Sequence, residues 1–496
     1  KSRTNFNSIP YCNGIFLFRM SKLFFRIFLL FVLAPWRLAA QDDDTLITTL
    51  PDSNVKGFQS SAVSDEKNLV GDNQVEVRNG DNYLYYGQVN YEAALKHYKL
   101  AYSGNEENAR LNFKIGNCYL KTGEKAKSIV YLEKASRLDD RVDADLHLLL
   151  GMAFQLNYDF KESVREYSIH LDDIRKFHPD YSNEQMDSVT SFLNKRIDEC
   201  NTAMELIKNP VRVFIDNLQD SINTEYPEYA PIITADESAL IFTSRRPGTT
   251  GGLPSEIDHN YYEDIYLSKK ENDKWSMAVN MGNPVNARTN DAAAGISLDG
   301  QKLFVYRDHN GGDLYLSKLK GDKWSKPKNL GVIINTAYHE SYASYSYDQK
   351  SIFFVSSRKD SSNIGGKDIY QCKLDKKGRC KDLYNLGPEI NTPYDEACVF
   401  AHPDGKTLYF SSKGHNTMGG YDIFKSTYFN GSWGKAENPG YPINTVEDDV
   451  SFSITANNKK GYYSSSKSGG FGGKDIYTIT FLGNEKEGII NTEDNL

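Results

Sequence analysis

Between Ile222 and Tyr477 the chain sets down a carboxylate, a cation and a second carboxylate five times at similar spacing. The first acid is Glu228, Asp291, Glu340, Glu396 or Asp449, and the base is Arg245, Arg307, Arg358, Lys413 or Lys467. The second acid opens an Asp-Ile/Leu-Tyr/Phe triplet at Asp264, Asp313, Asp368, Asp422 or Asp475. Such sets could form a ring that reads a charged ligand, or a staple that holds each repeat together. The staple is favoured, because charged groups that must be partly buried are usually paired with one another. The ring reading stays open, with the five bases as its partner-binding candidates.

Other candidates are weaker. One repeat carries a long insertion, residues 247–262, where the others use roughly 5 to 9 residues; long loops on rigid scaffolds are often functional. Arg246, His259, Tyr261 and Tyr262 therefore join the candidate partner-binding residues. The Gly-Gly pairs at Gly311, Gly365, Gly419 and Gly472 precede strands rather than helices and lack a following Lys-Ser/Thr, so they read as turns and not as phosphate cradles. No Gly-x-Ser-x-Gly elbow, no His-Glu-x-x-His motif and no zinc-type Cys/His spacing occurs. The expectation is a protein that is not an enzyme and uses no metal or cofactor.

The elements that must position these groups follow from the repeat itself. Each first acid lies five residues after an Ile/Val-Asn pair, at Asn223, Asn286, Asn335, Asn391 and Asn444. A period of roughly 50 residues with about four short β runs means propeller blades. Runs such as 240–244 and 408–412 have the β-branched and aromatic content of strands. The acid opens a first strand, the base ends a second and the triplet opens a third, so antiparallel pairing gathers all three at one edge. The last repeat lacks a fourth strand, whereas Val211-Arg-Val-Phe-Ile215 precedes the first repeat with no blade of its own. That segment is expected to complete the last blade and close a five-bladed propeller, alternatively a six-bladed one.

Ahead of the propeller the rhythm is helical. Gly87, Tyr91, Ala94, Tyr98 and Ala101 read as the second half of a tetratricopeptide-like unit; Gly116 to Gly151 spans one further period. Small residues let paired helices approach while aromatics fill between them. Ser182 and Gln185 form a capping box on a long helix that Pro210 ends, expected to cap the solenoid and pack it on the propeller. The fold class is thus α + β multidomain. Expected divisions are upstream residues and signal peptide 1–40, a disordered linker 41–79, the tetratricopeptide-like helical domain 80–209, the propeller 210–482 and a flexible tail 483–496.

Met20-Ser-Lys-Leu-Phe-Phe-Arg26, the apolar run 27–34 and Ala39-Ala40 have the form of a cleaved secretory signal. No later stretch reaches the roughly 20 apolar residues of a membrane-spanning helix, so an integral membrane protein is not expected. Cleavage after residue 40 would leave 52 basic against 66 acidic residues, a net charge of −14 that disfavours nucleic acid. Cys372 and Cys380 flank a strand-to-strand turn and could bridge it, whereas Cys118 and Cys200 read as buried, inert thiols.

The chain resembles periplasmic envelope proteins of Bacteroidetes that carry tetratricopeptide repeats followed by a TolB-like, WD-repeat-like propeller. Tyr226-Pro-Glu-Tyr-Ala-Pro231, Phe242-Thr-Ser-Arg-Arg246, His402-Pro-Asp-Gly-Lys-Thr-Leu-Tyr-Phe-Ser-Ser412 and Gly419-Gly-Tyr-Asp-Ile-Phe424 carry the resemblance, over about residues 80–482. It implies a non-enzymatic scaffold with protein partners at the cell envelope, including outer-membrane proteins, as in adaptors of the type IX secretion and gliding machinery. Such proteins often continue into a peptidoglycan-binding OmpA-like domain; this sequence ends at Leu496, so anchoring through that domain is not expected. The alternative is a sensor that binds a cell-wall glycan or muropeptide in the propeller channel.

Overall fold

The computed structural model describes residues 72–85, 89–255, 260–467 and 469–483. The expected signal segment, most of the expected linker, His259 and the tail beyond Gly483 lie outside the described residues. Among the described residues seven α-helices come first: α1 (Asp72–Tyr85), α2 (Tyr91–Tyr102), α3 (Ala109–Leu120), α4 (Ser128–Leu138), α5 (Leu146–Leu156), α6 (Phe160–Phe177) and α7 (Asn183–Lys208). The expected linker through Asn79 needs correction, since α1 already occupies Asp72 onward and gives α2 a full partner. Its sequence is too polar to announce itself, and of its described apolar side chains only Val77 is buried.

Helices pair where a glycine admits a large side chain. A Cβ at Gly80 would lie 2.4 Å from the Tyr98 ring, one at Gly116 2.6 Å from Leu132, and one at Gly151 2.5 Å from the Tyr167 ring. Gly80 is thus the contact glycine of the first pair, and Gly87 lies outside the described residues. Asn90, Asn108 and Asp159 cap the N-termini of α2, α3 and α6, and Ser182 with Gln185 forms the complete capping box of α7.

Twenty-two strands follow, in five sheets. Blade 1 comprises β2 (Glu228–Ile233), β3 (Ala239–Ser244), β4 (Asp264–Glu271) and the short β5 (Lys274–Trp275) and β6 (Val279–Asn280). Blade 2 repeats this with β7 (Asp291–Ile296), β8 (Lys302–Arg307), β9 (Asp313–Lys320), β10 (Lys323–Trp324) and β11 (Lys328–Asn329). Blade 3 is β12 (Glu340–Tyr345), β13 (Ser351–Ser356), β14 (Asp368–Leu374) and β15 (Cys380–Asn385). Blade 4 is β16 (Glu396–Ala401), β17 (Thr407–Ser412), β18 (Asp422–Phe429) and β19 (Ser432–Trp433). Blade 5 is β20 (Asp449–Ile454), β21 (Lys460–Ser465) and β22 (Asp475–Phe481), completed by β1 (Val213–Asn217) from the start of the propeller.

Closure is therefore circular, with Val213 opposite Phe481 and Asn217 opposite Tyr477. A backbone seam runs around the ring as well. The N–H of each first acid donates to the carbonyl just before the previous blade's triplet: Asp291 to Glu263, Glu340 to Gly312, Glu396 to Lys367, Asp449 to Tyr421 and, across the closure, Glu228 to Lys474. Five blades are present among the described residues, so the six-bladed alternative is set aside.

Helices and propeller share one hydrophobic core. Leu148, Phe160, Tyr167, Val189, Leu193, Cys200 and Ala203 pack with Met418 and Val446, which sit on loops of blade 4 and of the blade 4–5 connection. Polar links reinforce the contact: Gln155 Nε2 donates to the Met418 carbonyl at 3.4 Å, Lys125 meets Glu447 at 3.2 Å, and Lys195 donates to Thr417. Among the described residues no helix is long and apolar enough to cross a membrane.

Candidate functional site: the charged edge of the propeller

Strand register brings the repeated groups together at one edge of every sheet. Glu228 pairs with Ser244, which pairs with Asp264; the same row recurs as Asp291–Arg307–Asp313, Glu340–Ser356–Asp368, Glu396–Ser412–Asp422 and Asp449–Ser465–Asp475. All ten carboxylates are buried. The two acids of a row nevertheless do different work.

The first acid closes the turn that enters its blade and holds the base. Glu228 accepts from the Thr224 N–H at 2.7 Å, the Thr224 hydroxyl at 2.8 Å and the Ser244 hydroxyl at 2.6 Å, and Arg246 lies 3.1 Å away. Asp291 accepts from Arg307 Nε at 2.6 Å, and Glu340 faces Arg358 at 3.7 Å. Each of these guanidinium groups also donates to a carbonyl just before the repeat asparagine: Arg246 to Ile222, Arg307 to Val285 and Arg358 to Ile334. Arg246, and not Arg245, is thus the base of blade 1; Arg245 Nε donates instead to the Tyr261 carbonyl at 2.8 Å. Two adjacent arginines hid the register, because only the residue two beyond the strand end turns back toward Glu228.

Blade 4 departs from the pattern. Gly414 stands where blades 1 and 3 carry arginine, and a Cβ there would lie 2.1 Å from Thr392 Oγ1. His415 takes over the carbonyl contact, with Nε2 2.9 Å from the Ile390 oxygen, while Lys413 lies over the Tyr421 ring at 4.8 Å. Burial pushes the Glu396 carboxyl up to about 8 and the His415 imidazole down, so this staple is uncharged at neutral pH. Asp291 rises only to about 6, its burial opposed by Arg307. In blade 5, burial raises Asp449 and lowers Lys467, each partly holding the other's charge, and Lys467 lies 4.1 Å from the Tyr477 ring centroid.

The second acid serves the loop before it. Asp264 accepts from the Thr250 N–H and hydroxyl, Asp368 from the Ile364 and Gly365 N–H groups, Asp422 from Met418 and Asp475 from Phe471 and Gly472. Each also accepts from an asparagine of the fourth strand or just beyond it: Asn280, Asn329, Asn385, Asn438 and, across the closure, Asn217. The insertion in blade 1 is thereby tied down through Thr250, and Tyr261 stands edge-on to Tyr226 at 5.8 Å. Tyr262 packs against Gly251, where a Cβ would lie 2.6 Å from the ring.

Sequence reasoning marked the repeat asparagines without giving them a task. Each side-chain amide pairs with both backbone groups of the triplet's second residue: Asn223 with Ile476, Asn286 with Ile265, Asn335 with Leu314, Asn391 with Ile369 and Asn444 with Ile423. It acts as one extra rung of the sheet, and its five-residue spacing from the acid was the available signal. Also missed were the residues that immediately precede the two acids. Glu263, Asn290, His339, Lys367, Asp395 and Asp448 form a polar layer in which Asn290 accepts from the Glu263 N–H, Asp395 from Lys367 and Asp448 from Tyr421. Burial lowers His339 to about 3 and also lowers Lys367.

The channel is closed. Each first strand carries a bulge, at which Ala230, Tyr342, Cys398 and Ser451 take left-handed φ of 43–60°. Tyr342 OH reaches Ser451 Oγ at 3.2 Å, and the Ser451 N–H donates to Cys398 Sγ at 3.1 Å. A void of about 40 Å³ lies between the first strands, enough for a water and too small for a sugar ring.

Cys372 and Cys380 are joined across the hairpin of blade 3. Cys118, Cys200 and Cys398 are free and buried, and burial pushes the thiols of Cys118 and Cys200 up to about 12 and about 11. Among the described residues no cluster of three His, Cys, Asp or Glu is arranged to hold a metal.

No family model matches the chain, and no curated protein matches it in sequence. Solved structures similar to part of it include TolB from Acinetobacter baumannii, at 15% identity and TM-score 0.34 over 52% of this chain and 56% of that one. A putative TolB from Agrobacterium tumefaciens is similar at 19% identity and TM-score 0.33, over 52% of this chain and 79% of that one. An alpha-L-arabinofuranosidase from Lactobacillus brevis is similar at 14% identity and TM-score 0.34, over 53% and 92%. The chain thus spans just over half the length of the first TolB.

Proposed function

We propose that this protein is a non-enzymatic adaptor of the cell envelope, acting outside the cytoplasm. The observation that carries the reading is the fate of the repeated charges. Acids and bases that could have read a ligand are spent on turns, carbonyls and one another, so the repeat builds a rigid ring and leaves recognition to loops and helices. Fused to that ring by a common core, the helices form a second surface in fixed relation to the first. Stacked helix pairs of tetratricopeptide type would hold one protein partner and the propeller another, repeat surfaces serving binding far more often than chemistry. The signal-like N-terminal sequence and the Cys372–Cys380 bridge support an oxidising compartment. An outer-membrane or type IX secretion and gliding assembly is the setting that the sequence resemblance suggests.

The test is retrieval of full-length protein from envelope extract with its bound partners, followed by reconstitution from purified components. A saturable complex of fixed stoichiometry is expected. Turnover of an envelope glycan or peptide by the purified chain, with no complex re-forming, would overturn the proposal.

A further inference from the structure

The fourth strands are in register around the ring, and the residue opposite the sixth position after each triplet aspartate can be compared across blades. It is Trp275 in blade 1, Trp324 in blade 2, Cys380 in blade 3, Trp433 in blade 4 and Val213 in blade 5. Each indole fills the seam between its own blade and the preceding one. Trp275 meets Tyr462 of blade 5 edge-on at 6.1 Å, Trp433 meets Phe353 of blade 3 at 6.0 Å, and Trp324 packs with Ile241 and Ile265 of blade 1. Tyr462, Phe353 and Ile241 are equivalent residues, each three before the end of its second strand. In blade 3 the bridged Cys380 and Leu383 fill the corresponding seam against Phe304.

Among the described residues, the seam between blades 4 and 5 receives neither an indole nor a disulfide from the fourth strand; Phe452 and Phe481 of blade 5 pack there. The equivalent wall residue is Tyr409, whose ring turns to Phe452 at 5.0 Å, and across from it stands Val213. The space left open is about 710 Å³, within the range of small-molecule sites. Its floor is apolar, with Val213, Ile423, Ile443 and Phe452; Arg212, Asp404, Lys425 and Asn458 are its polar lining, and the Asp404 carboxylate already accepts from the Lys406 and Thr407 N–H groups and the Thr407 hydroxyl.

We propose that this seam is a binding site for a tryptophan side chain presented by a partner polypeptide. The occupant is named by the fold itself, since the same slot holds an indole in three of the other four seams. This deepens the adaptor reading and rests on it for the partner's being a protein; the probe below tests the seam alone.

The experiment titrates full-length protein with N-acetyl-tryptophanamide and N-acetyl-leucinamide, read by saturation-transfer NMR. Saturable binding of the tryptophan amide is expected below about 10 mM, with the leucine amide at least about tenfold weaker. Val213→Trp should place an indole in this seam as in the others, weaken probe binding at least about tenfold and raise Tm. Should V213W not fold, Thr407→Phe blocks the same space from blade 4 and carries the same expectation. No saturable binding to the wild type, equal binding of both amides, or unchanged binding by a folded V213W or T407F would overturn the proposal. Failure of the adaptor reading alone would leave probe binding intact.

Discussion

Glu396 offers a direct measurement of what a missing cation does to a buried carboxylate. It accepts from the Thr392 N–H at 3.1 Å, the Thr392 hydroxyl at 2.7 Å and the Ser412 hydroxyl at 2.8 Å, with glycine where blades 1 and 3 supply arginine. Burial lifts its carboxyl from 4.5 to about 8. The folded protein therefore keeps a proton that the unfolded chain releases, and stability present below pH 4.5 is lost as pH rises through about 8. At 1.36 kcal/mol per pH unit the whole window is worth roughly 5 kcal/mol. Glu396→Gln cannot ionise and escapes this loss. With its oxygen toward the Thr392 N–H, its amide nitrogen replaces the acceptor of the Thr392 and Ser412 hydroxyls, a constant cost of about 1–3 kcal/mol. Urea unfolding at pH 5 to 9 should show E396Q less stable than wild type at pH 5 and more stable at pH 9. A difference between the two that stays flat across that range, or drifts the other way, would refute the reasoning. Glu340→Gln provides the contrast, because it strands the buried Arg358 guanidinium and should cost about 3–5 kcal/mol at neutral pH.

Other expectations follow from the same geometry. Asn335→Ala removes both partners of the buried Leu314 backbone groups and should cost about 2–4 kcal/mol by chemical denaturation, with loss of the wild-type midpoint as the readout. Gly151→Ala should destabilise the helices by about 1–2 kcal/mol despite alanine's higher helix propensity, since Tyr167 is fully buried, its hydroxyl is bonded to Gln155, and it cannot retreat; a higher Tm would contradict this packing. Reduction of Cys372–Cys380, eight residues apart, should lower stability by about 2–3 kcal/mol, measured as a Tm shift with thiol content followed in parallel.

Much of the ring was legible because each repeat spells out its strand boundaries: the first acid opens every first strand and the triplet aspartate every third, as the spacing requires. The closing strand was equally readable, from a blade that lacked one and a segment that lacked a blade. What stayed hidden depended on side-chain direction. Arg245 and Arg246 are indistinguishable as types, and only the turn after Ser244 decides which one reaches Glu228. His415 could not be seen as a substitute base because it is one residue farther along and contacts the carbonyl alone. The asparagine rung was marked by position but not by role, since an amide that mimics backbone leaves no hydrophobic period. Helix α1 was missed because its burial rests on little more than Val77 and Gly80.

The strand that completes blade 5 has a consequence for how the molecule is made. Asn217 and Asp475, hydrogen-bonded at 2.7 Å, are 258 residues apart in sequence. A nascent chain leaving a ribosome or a secretion channel can assemble blades 1 to 4 from neighbouring hairpins, yet its fifth must wait for the last strand to emerge. Until then β1 has an unpaired edge, exposed to any competing strand in a crowded compartment. Because β1 follows the end of α7 after only four residues, folding of the helices would fix where that edge waits. Variants that loosen α7 should therefore lower the yield of native protein more than they lower its final stability.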